Sequence, residues 1–588
     1  MQAATDKFLS VSVLVEELYK DGLLNQETYA LAKKIRRGKD EQKTHSISLI
    51  AKQNYVNALT TGKTLNETAI IAWLAAKHRM DAYQIDPLEV DVTAVTQIMS
   101  YAFSERHQIL AVKVTQDEVW VACCEPEVSG WVADVEHVSR RMVTRVLTSP
   151  SDIERYRVEF YQLATSVSRA SKSHPGGSSV QNLESMLELG KAKAPEANDE
   201  HIVNIVDWLL QYAFEQRASD IHIEPRREVG HVRFRIDGVL HNVYDFPAQV
   251  ALAVVARLKS LGRMNIAEKR KPQDSRLKTK TPAGQEVELR LSTLPTAFGE
   301  KLVMRVFDPQ VLVRNFADLG FGKEDHRRWT EMTTNNHGII FVTGPTGSGK
   351  TTTLYSTLKQ LATSEVNVST IEDPIEMVEP AFNQMQVQHN IDLTFANGVR
   401  ALLRQDPDII MVGEVRDLET AEIAVQAALT GHLVLSTLHT NDAPSAFTRL
   451  MELGLPPYLI RSSVIGVMAQ RLVRTLCPHC KEKRTVSEED WKELTSPWLV
   501  KTPKFVYAAK GCLECRSTGY MGRMGIYEVL PMSNTIETFI HDQTDLQKLR
   551  QAAMKEGMHS LRLSGAHKVA AGLTTIEEIV RVAPLIRS

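Results

Sequence analysis

The chain has 588 residues, 43% of them hydrophobic and 24% charged, with a formal net charge of −2 at pH 7. That length exceeds what one hydrophobic core serves and predicts about three to five domains, while the balanced charge excludes a global positive field drawing the molecule to nucleic acid or acidic lipid. No run approaches the roughly 20 apolar residues a bilayer crossing needs. The opening MQAATDKFLSVSVLVEELYKDG carries acids through its apolar part and does not read as a signal peptide, so a cytoplasmic protein with membrane contact only through partners is expected.

Residues 1–65 are expected to be helical. Between Val13 and Arg36, apolar residues recur at helical spacing (Val15, Leu18, Tyr19, then Leu31 and Ile35) on either side of DGLL, which predicts a helix pair. A small α+β domain follows over 66–164. Its clearest strand is EVWVACCEP (Glu118–Pro126), where Cys123 and Cys124 read as buried structural thiols. The stretch 165–199, TSVSRASKSHPGGSSVQNLESMLELGKAKAPEAND, predicts a flexible linker with NLESMLELG as a short helix inside it. From His201 to Pro225 a helix-period stripe passes into an alternating strand. GHVRFRIDGVLHNVY follows, with Asp-Gly at a hairpin turn, and then EVELRLSTLP. Strands outnumber helices there, so 200–320 reads as an α+β module. From Gly338 onward apolar strands alternate with helices, the pattern of a parallel sheet, and 321–588 reads as α/β.

The segment Gly344-Pro345-Thr346-Gly347-Ser348-Gly349-Lys350-Thr351 matches G-x-x-x-x-G-K-[ST], between an apolar strand, GIIFVTG, and a helix that opens with Thr352. Gly347 and Gly349 let backbone N–H groups form a nest for phosphate oxygens at a positive helix end. Lys350 supplies a mobile cation for the β- and γ-phosphates, and the Thr351 hydroxyl suits Mg2+. A glycine turn with an incidental lysine would not come with both flanking elements. In DPDIIMVGEVRD the strand Ile409–Val412 runs into Gly413-Glu414. Glu414 stands at the carboxyl end of that strand, where ligands of open α/β sheets bind, so it can hold Mg2+ through water or orient the attacking water. STIEDPIE puts Glu372 and Asp373 at another strand end, either a second acidic site or a solvated turn. The strand HLVLSTLH has His432 at its start and His439 at its end. Seven steps of about 3.3 Å separate them by about 23 Å, so they share no metal ion; His439 is the candidate γ-phosphate sensor and His432 reads as structural.

Cys477-x2-Cys480 and Cys512-x2-Cys515 are two chelating pairs separated by thirty-one residues. They suit a closed tetrahedral Zn2+ site that stabilises the fold and leaves no open coordination position, with His479 as a spare, weaker ligand candidate.

RASDIHIEP, RIDGVL, KPQDSR, GPTGSGKTTTLY, IEDPIE, LTFANGVRALLRQDPDIIMVGEVRDLETAEIAVQAALTGHLVLSTLHTNDA, the two CxxC pairs and GRMGIYEVL occur in one order over residues 200–588. This series resembles the type II secretion and type IV pilus assembly ATPases, hexameric P-loop motors of the secretion-ATPase superfamily. The resemblance implies an α/β fold: a RecA-like ATPase domain over 321–588 holding the zinc module 477–515, a PAS-like α+β domain over 200–320, and a small α+β N-terminal domain. It assigns Gly344–Thr351 as Walker A, Glu372 to an acidic box, Glu414 to the Walker B position as water activator, and His432 with His439 to a histidine box, which raises His432 above its geometric reading. It also implies that Arg217, Arg235, Arg276 and Arg290 approach a neighbouring subunit's nucleotide; the residues alone read equally as solvated or paired with Asp220, Asp237 and Asp274. The basic run KRKPQDSR has no aromatic interleaving and is not a nucleic-acid patch.

Two departures stand out. The N-terminal region resembles the family's first domain only loosely, and LVEELYKDGLLNQETYALAKK lacks the arginine of the Arg-Leu-Gly repeat that binds cyclic di-GMP in some relatives, which argues against that ligand. Ser275 stands where KPQDGR-type stretches carry glycine. The implied activity is ATP hydrolysis by a homo-hexamer, driving an inner-membrane platform protein, with cytoplasmic adaptor domains, to add pilins to a filament. ATP, Mg2+ and Zn2+ are the implied cofactors. The alternatives are a retraction ATPase, which typically lacks both the long N-terminal region and the four cysteines, a DNA-translocating conjugation motor, and a nucleotide-binding regulator without turnover.

Overall fold

The structure, a computed structural model, describes residues 6–37, 44–59, 64–172, 199–282, 284–307 and 315–584. Contacts divide the chain into two compact units, Met1–Gln285 with Leu289–Val306, and Glu286–Glu288 with Phe307–Ser588.

In the first unit the expected helix pair is Val11–Lys20 and Gln26–Ala32, capped by Ser10 and Asn25, whose side chains accept the N–H groups of Val13 and Thr28. Val15 and Leu18 are buried, whereas Leu31 is exposed and Tyr19 stacks on Tyr29 with ring centroids 4.0 Å apart. A four-stranded sheet follows, ordered β1-β4-β3-β2 from β1 (Asp81–Ala82), β2 (Ile109–Val114), β3 (Glu118–Cys123) and β4 (Met142–Leu147). Cys123 ends β3 and Cys124 follows it. Both are buried, and burial pushes the Cys123 thiol up to about 12, so it stays protonated and inert.

The helix Pro150–Lys172 runs through the expected linker boundary at 165. Its apolar face, Phe160, Leu163, Val167 and Ala170, stays buried at three- and four-residue spacing across a stretch whose serines suggested a coil. The remainder of the linker, including NLESMLELG, lies outside the described residues.

A six-stranded sheet then runs β7-β6-β5-β10-β9-β8, from β5 (Asp220–Pro225), β6 (Val229–Ile236), β7 (Val239–Pro247), β8 (Gln273–Lys280), β9 (Glu286–Thr296) and β10 (Gly299–Phe307). Asp237 and Gly238 join β6 to β7 with φ of 48° and 88°, the paired left-handed turn that matches strand twist. On β5, Ile221 and Ile223 point into the core with the helices Glu200–Glu215 and Ala248–Leu261. The alternate residues carry charge: Glu224 meets Arg233 at 2.7 Å and Lys301 at 2.9 Å, and Asp220 meets Arg305 at 3.0 Å.

The second unit is built on a seven-stranded sheet ordered β13-β12-β14-β15-β11-β16-β19. Its strands are β11 (Gly338–Thr343), β12 (Val368–Glu372), β13 (Asn383–Gln386), β14 (Ile409–Val412), β15 (Leu433–Leu438), β16 (Val464–Leu476) and β19 (Tyr520–Pro531); β17 (Glu482–Arg484) and β18 (Val506–Ala508) form a separate ribbon. All neighbours run parallel except β16 with β19. Every residue of β11, β14 and β15 is buried, as expected of parallel strands covered on both faces. The order β16-β11-β15-β14-β12 is that of a RecA-like core, with β15 inserted between the P-loop strand and β14.

Near the end of β16, Arg474 donates through Nη2 to the fully buried Glu578 at 2.8 Å, and Arg581 reaches the same carboxylate at 2.6 Å. Burial alone would raise the Glu578 carboxyl; the Arg581 and Arg474 guanidiniums outweigh it and hold it at about 2. A depressed carboxyl contributes stability that is present above its usual 4.5 and lost as pH falls toward 2. Glu578→Gln is expected to cost about 2–3 kcal/mol near neutral pH, the low end for breaking a buried pair because both guanidiniums reach solvent. Thermal unfolding reads this as a lower midpoint whose gap from wild type closes below pH 4.5; equal midpoints at pH 7 would refute it.

Candidate functional site

The phosphate-type turn spans Gly344–Gly349, after β11 and before the helix Lys350–Leu361. Gly347 and Gly349 sit at φ of 79° and 85°, the left-handed region where a side chain is strained and the one a phosphate-binding nest of N–H groups uses. Pro345, Thr346, Gly347 and Thr351 are exposed and Thr352 is half-buried, whereas Gly344, Ser348 and Lys350 are buried. Lys350 Nζ donates to the carbonyls of Gly344 at 2.8 Å and Pro345 at 3.2 Å. Burial, with the nearby Arg471 cation, lowers its pKa to about 8 against the pull of Glu414.

Register explains what gathers here. Thr343 pairs with Leu438, and Val412 with Ser436, so Gly344, His439 and Glu414 leave the same edge of the sheet. Ser436 Oγ donates to the carbonyl of Val412 and Thr437 Oγ1 to that of Gly413, each at 2.7 Å, holding the Glu414 turn against β15. His439 Nε2 lies 3.4 Å from one Glu414 oxygen, and Arg416 Nη2 lies 2.6 Å from the other. Thr440 Oγ1 meets Thr343 Oγ1 at 2.8 Å, so the turn after His439 is tied to the end of the P-loop strand.

His432 stands just before β15 at its amino end, Nδ1 2.9 Å from the carbonyl of Ala427, and the sheet does not bring it to the phosphate turn. Glu372 ends β12 with its carboxylate buried. Tyr355 Oη donates to Oε2 at 2.6 Å, and Thr370 Oγ1 and Gln384 Nε2 donate to Oε1 at 2.7 and 3.2 Å. Burial raises its pKa, and no hydrogen bond or ion pair joins it to Lys350 or Glu414 among the described residues. Through Tyr355, Glu372 is joined to the helix that follows the phosphate turn.

Sequence reasoning missed Gln470. It lies on β16 beneath the turn; Nε2 donates to the Ser348 carbonyl and Oε1 accepts from Thr353 Oγ1, both at 2.9 Å. The signal was present in VMAQRLV, where two polar residues interrupt an apolar strand.

Within the first unit, the four arginines take different positions. Arg217 is exposed at a left-handed φ of 56°. Arg235 lies 3.6 Å from Asp220, Arg290 lies 4.0 Å from Asp274, and Arg276 is half-buried on β8. Ser275 is accommodated because it belongs to extended β8, not to a left-handed turn, and its Oγ donates to the Gly262 carbonyl.

The four cysteines converge. Their Sγ atoms all lie within 4.8 Å of one another, with Cys477–Cys512 at 3.8 Å and Cys480–Cys515 and Cys512–Cys515 at 3.7 Å. Four Zn–S bonds of about 2.3 Å at tetrahedral angles set S···S edges of about 3.8 Å, so the donor set fits that ion and not a disulfide. Burial would raise Cys515, but backbone N–H groups of Cys512 and Gly519 donate to its sulfur and hold it at about 7, favouring the thiolate a metal takes. His479 is not part of the cluster.

The Lys350 environment sets a proton balance. At pH 8 about half of the ammonium is deprotonated, and a bound triphosphate restores it, so binding takes up about half a proton per site and weakens as pH rises further. Titration calorimetry at pH 8 in buffers of different ionisation enthalpy measures this; no uptake would refute it.

Comparison with known proteins agrees with this arrangement. The type II/IV secretion system protein family matches residues 195–581, and the MshEN domain matches residues 78–167, a region whose sequence offered only loose echoes. The type IV pilus assembly ATPase TfpB of Acinetobacter baylyi is 52% identical over 97% of this chain and 98% of its own length. The type IV pilus assembly ATPase PilB of Myxococcus xanthus is 37% identical over 95% and 97%, and the type II secretion system protein E of Pseudomonas aeruginosa 40% over 82% and 96%. With a RecA-like sheet that gathers a P-loop, Glu414 and His439 on one edge, and a family match over most of its length, this chain belongs to the type II/IV secretion system protein family and is an ATPase.

Proposed function

We propose that this protein is the assembly motor of a type IV pilus, hydrolysing ATP in a cytoplasmic homo-hexamer. The observation that carries this reading is the likeness of the chain, from end to end, to two pilus assembly ATPases, whereas the type II secretion relative at 40% identity covers 82% of it. A type II secretion pseudopilus is the second reading, favoured by that same relative.

In the proposed cycle the P-loop amides and Lys350 hold the phosphates, and Thr351 with acidic side chains organises Mg2+. Glu414 orients the attacking water and His439 senses the γ-phosphate beside it. Arg217, Arg235, Arg276 and Arg290 of a neighbouring subunit stabilise charge on the transferred phosphoryl. Product release lets the two modules of 200–588 rotate against one another, and an inner-membrane platform protein, with cytoplasmic adaptor domains, converts the motion into pilin addition. Nucleic acid has no part in this scheme. Cyclic di-GMP is also outside it, and tight binding in a titration would bring it in. Zn2+ held by Cys477, Cys480, Cys512 and Cys515 is structural.

Lys350→Ala is expected to abolish phosphate release. Glu414→Gln is expected to lower kcat by about 10²–10⁴-fold while Mg-ATP binding persists; either variant turning over like wild type would refute the site. Deleting the gene should remove surface pili and spare type II secretion, and the opposite outcome would favour the second reading. Denatured protein should release about one Zn2+ per chain, and Cys477→Ser with Cys512→Ser should lose it and lower the melting midpoint.

A further inference from the structure

Arg471 follows Gln470 on β16 and is only 7% exposed. Burying a guanidinium is costly unless its donors are engaged. Here Nη1 donates to the Gln470 carbonyl at 3.0 Å and Nη2 to the Asn441 carbonyl at 2.8 Å. Asn441 belongs to the turn that follows His439. The same group stands against the entrance of the phosphate turn, since a Cβ on Gly344 would come within 3.0 Å of Nη1 and 2.5 Å of the Gln470 oxygen. One planar cation thus binds the turn after His439 and stands against the start of the phosphate turn.

The turn is clamped at three successive residues. Thr440 meets Thr343, Asn441 meets Arg471, and Asp442 accepts from Arg550 Nη2 at 2.7 Å and from the Ser445 N–H at 2.8 Å. Buried Glu528 accepts the next N–H, that of Ala443, at 2.8 Å. Asp442 and Glu528 also supply the negative charge that offsets the Arg471 guanidinium. Thr440 ties the turn to the end of the P-loop strand, and Arg471 ties it beside the phosphate turn itself.

We propose that Arg471 is a positioning residue of the nucleotide site, locking the Thr440–Asp442 turn against the P-loop and so fixing His439 beside Glu414. It rests on the reading of this site as an ATPase centre. A side chain of similar length without donors, as in Arg471→Met, fills the space but releases the Asn441 carbonyl.

The test uses full-length protein, steady-state ATP hydrolysis and thermal unfolding. Arg471→Met should lower kcat on the order of 10²-fold, the scale of a misplaced catalytic group, with KM for ATP changed less than about threefold. Arg471→Lys, which keeps the charge and a single donor nitrogen, should recover part of the loss. Because Arg471 acts through the His439 turn, Arg471→Met combined with His439→Ala should be no slower than the slower single variant within about threefold. The proposal is overturned if Arg471→Met melts like wild type and keeps kcat within about twofold, if the two losses multiply, or if His439→Ala turns over like wild type. Should Arg471→Met fail to fold, the Arg471→Lys and His439→Ala cycle is read by the same criteria. Wild type without turnover, or Lys350→Ala with it, would instead count against the proposed function.

Discussion

Parallel pairing of β15 between β11 and β14 is the constraint on which the site depends. In a parallel sheet every strand delivers its carboxyl end to one edge, so three segments remote in sequence release their loops side by side. The phosphate turn leaves β11, the Glu414 turn leaves β14, and the His439 turn emerges between them. Hydroxyls of Thr343, Ser436 and Thr437 then bind carbonyls or hydroxyls of the neighbouring strand end, so the loops inherit the rigidity of the sheet. Shifting β15 by one residue would move Ser436 and Thr437 each to the opposite face and break both bonds.

The second unit also concentrates buried charge near this edge. Lys350, Arg471, Glu372 and Glu528 are each less than a tenth exposed. Stability alone would favour apolar replacements for groups so costly to bury. Their donors and acceptors are spent on backbone and neighbouring side chains, which holds groups in place before any ligand arrives. Preorganised dipoles of this kind are what transition-state stabilisation requires. Glu372 is held in the same way, its oxygens engaged by Tyr355, Thr370 and Gln384 and so tied to the helix that follows the P-loop.

Away from the nucleotide edge, the same economy of polar groups shapes the fold. Glu578 gathers Arg474 and Arg581, tying the helix Ile576–Val582 to β16. The cysteine cluster lies just beyond the end of that strand, where a bound ion can replace the packing that so small a module lacks. In the first unit, β5 alternates its side chains, isoleucines in the core and Asp220 and Glu224 on the opposite face, buried under Arg233, Lys301 and Arg305, so the two-residue period itself sets the arginine-bearing face.

Much of this was legible in the chain. The P-loop, the Asp237-Gly238 hairpin, the first helix pair and the two cysteine pairs are local patterns, fixed by φ preferences, capping hydrogen bonds and ligand spacing within a few residues. The helix running past residue 165 escaped because its apolar stripe is hidden among serines, and only packing against neighbours reveals which face is buried. The sequence by itself determined the chemistry on offer: a phosphate turn, Glu414, His439 and four thiols. Only the tertiary structure decided that His439 meets Glu414 while His432 stays at the far end of its strand, that Glu372 faces Tyr355, and that Gln470 and Arg471 reach under the P-loop from more than a hundred residues away. Strand order and register set these distances, and both arise from long-range pairing that no local sequence pattern encodes.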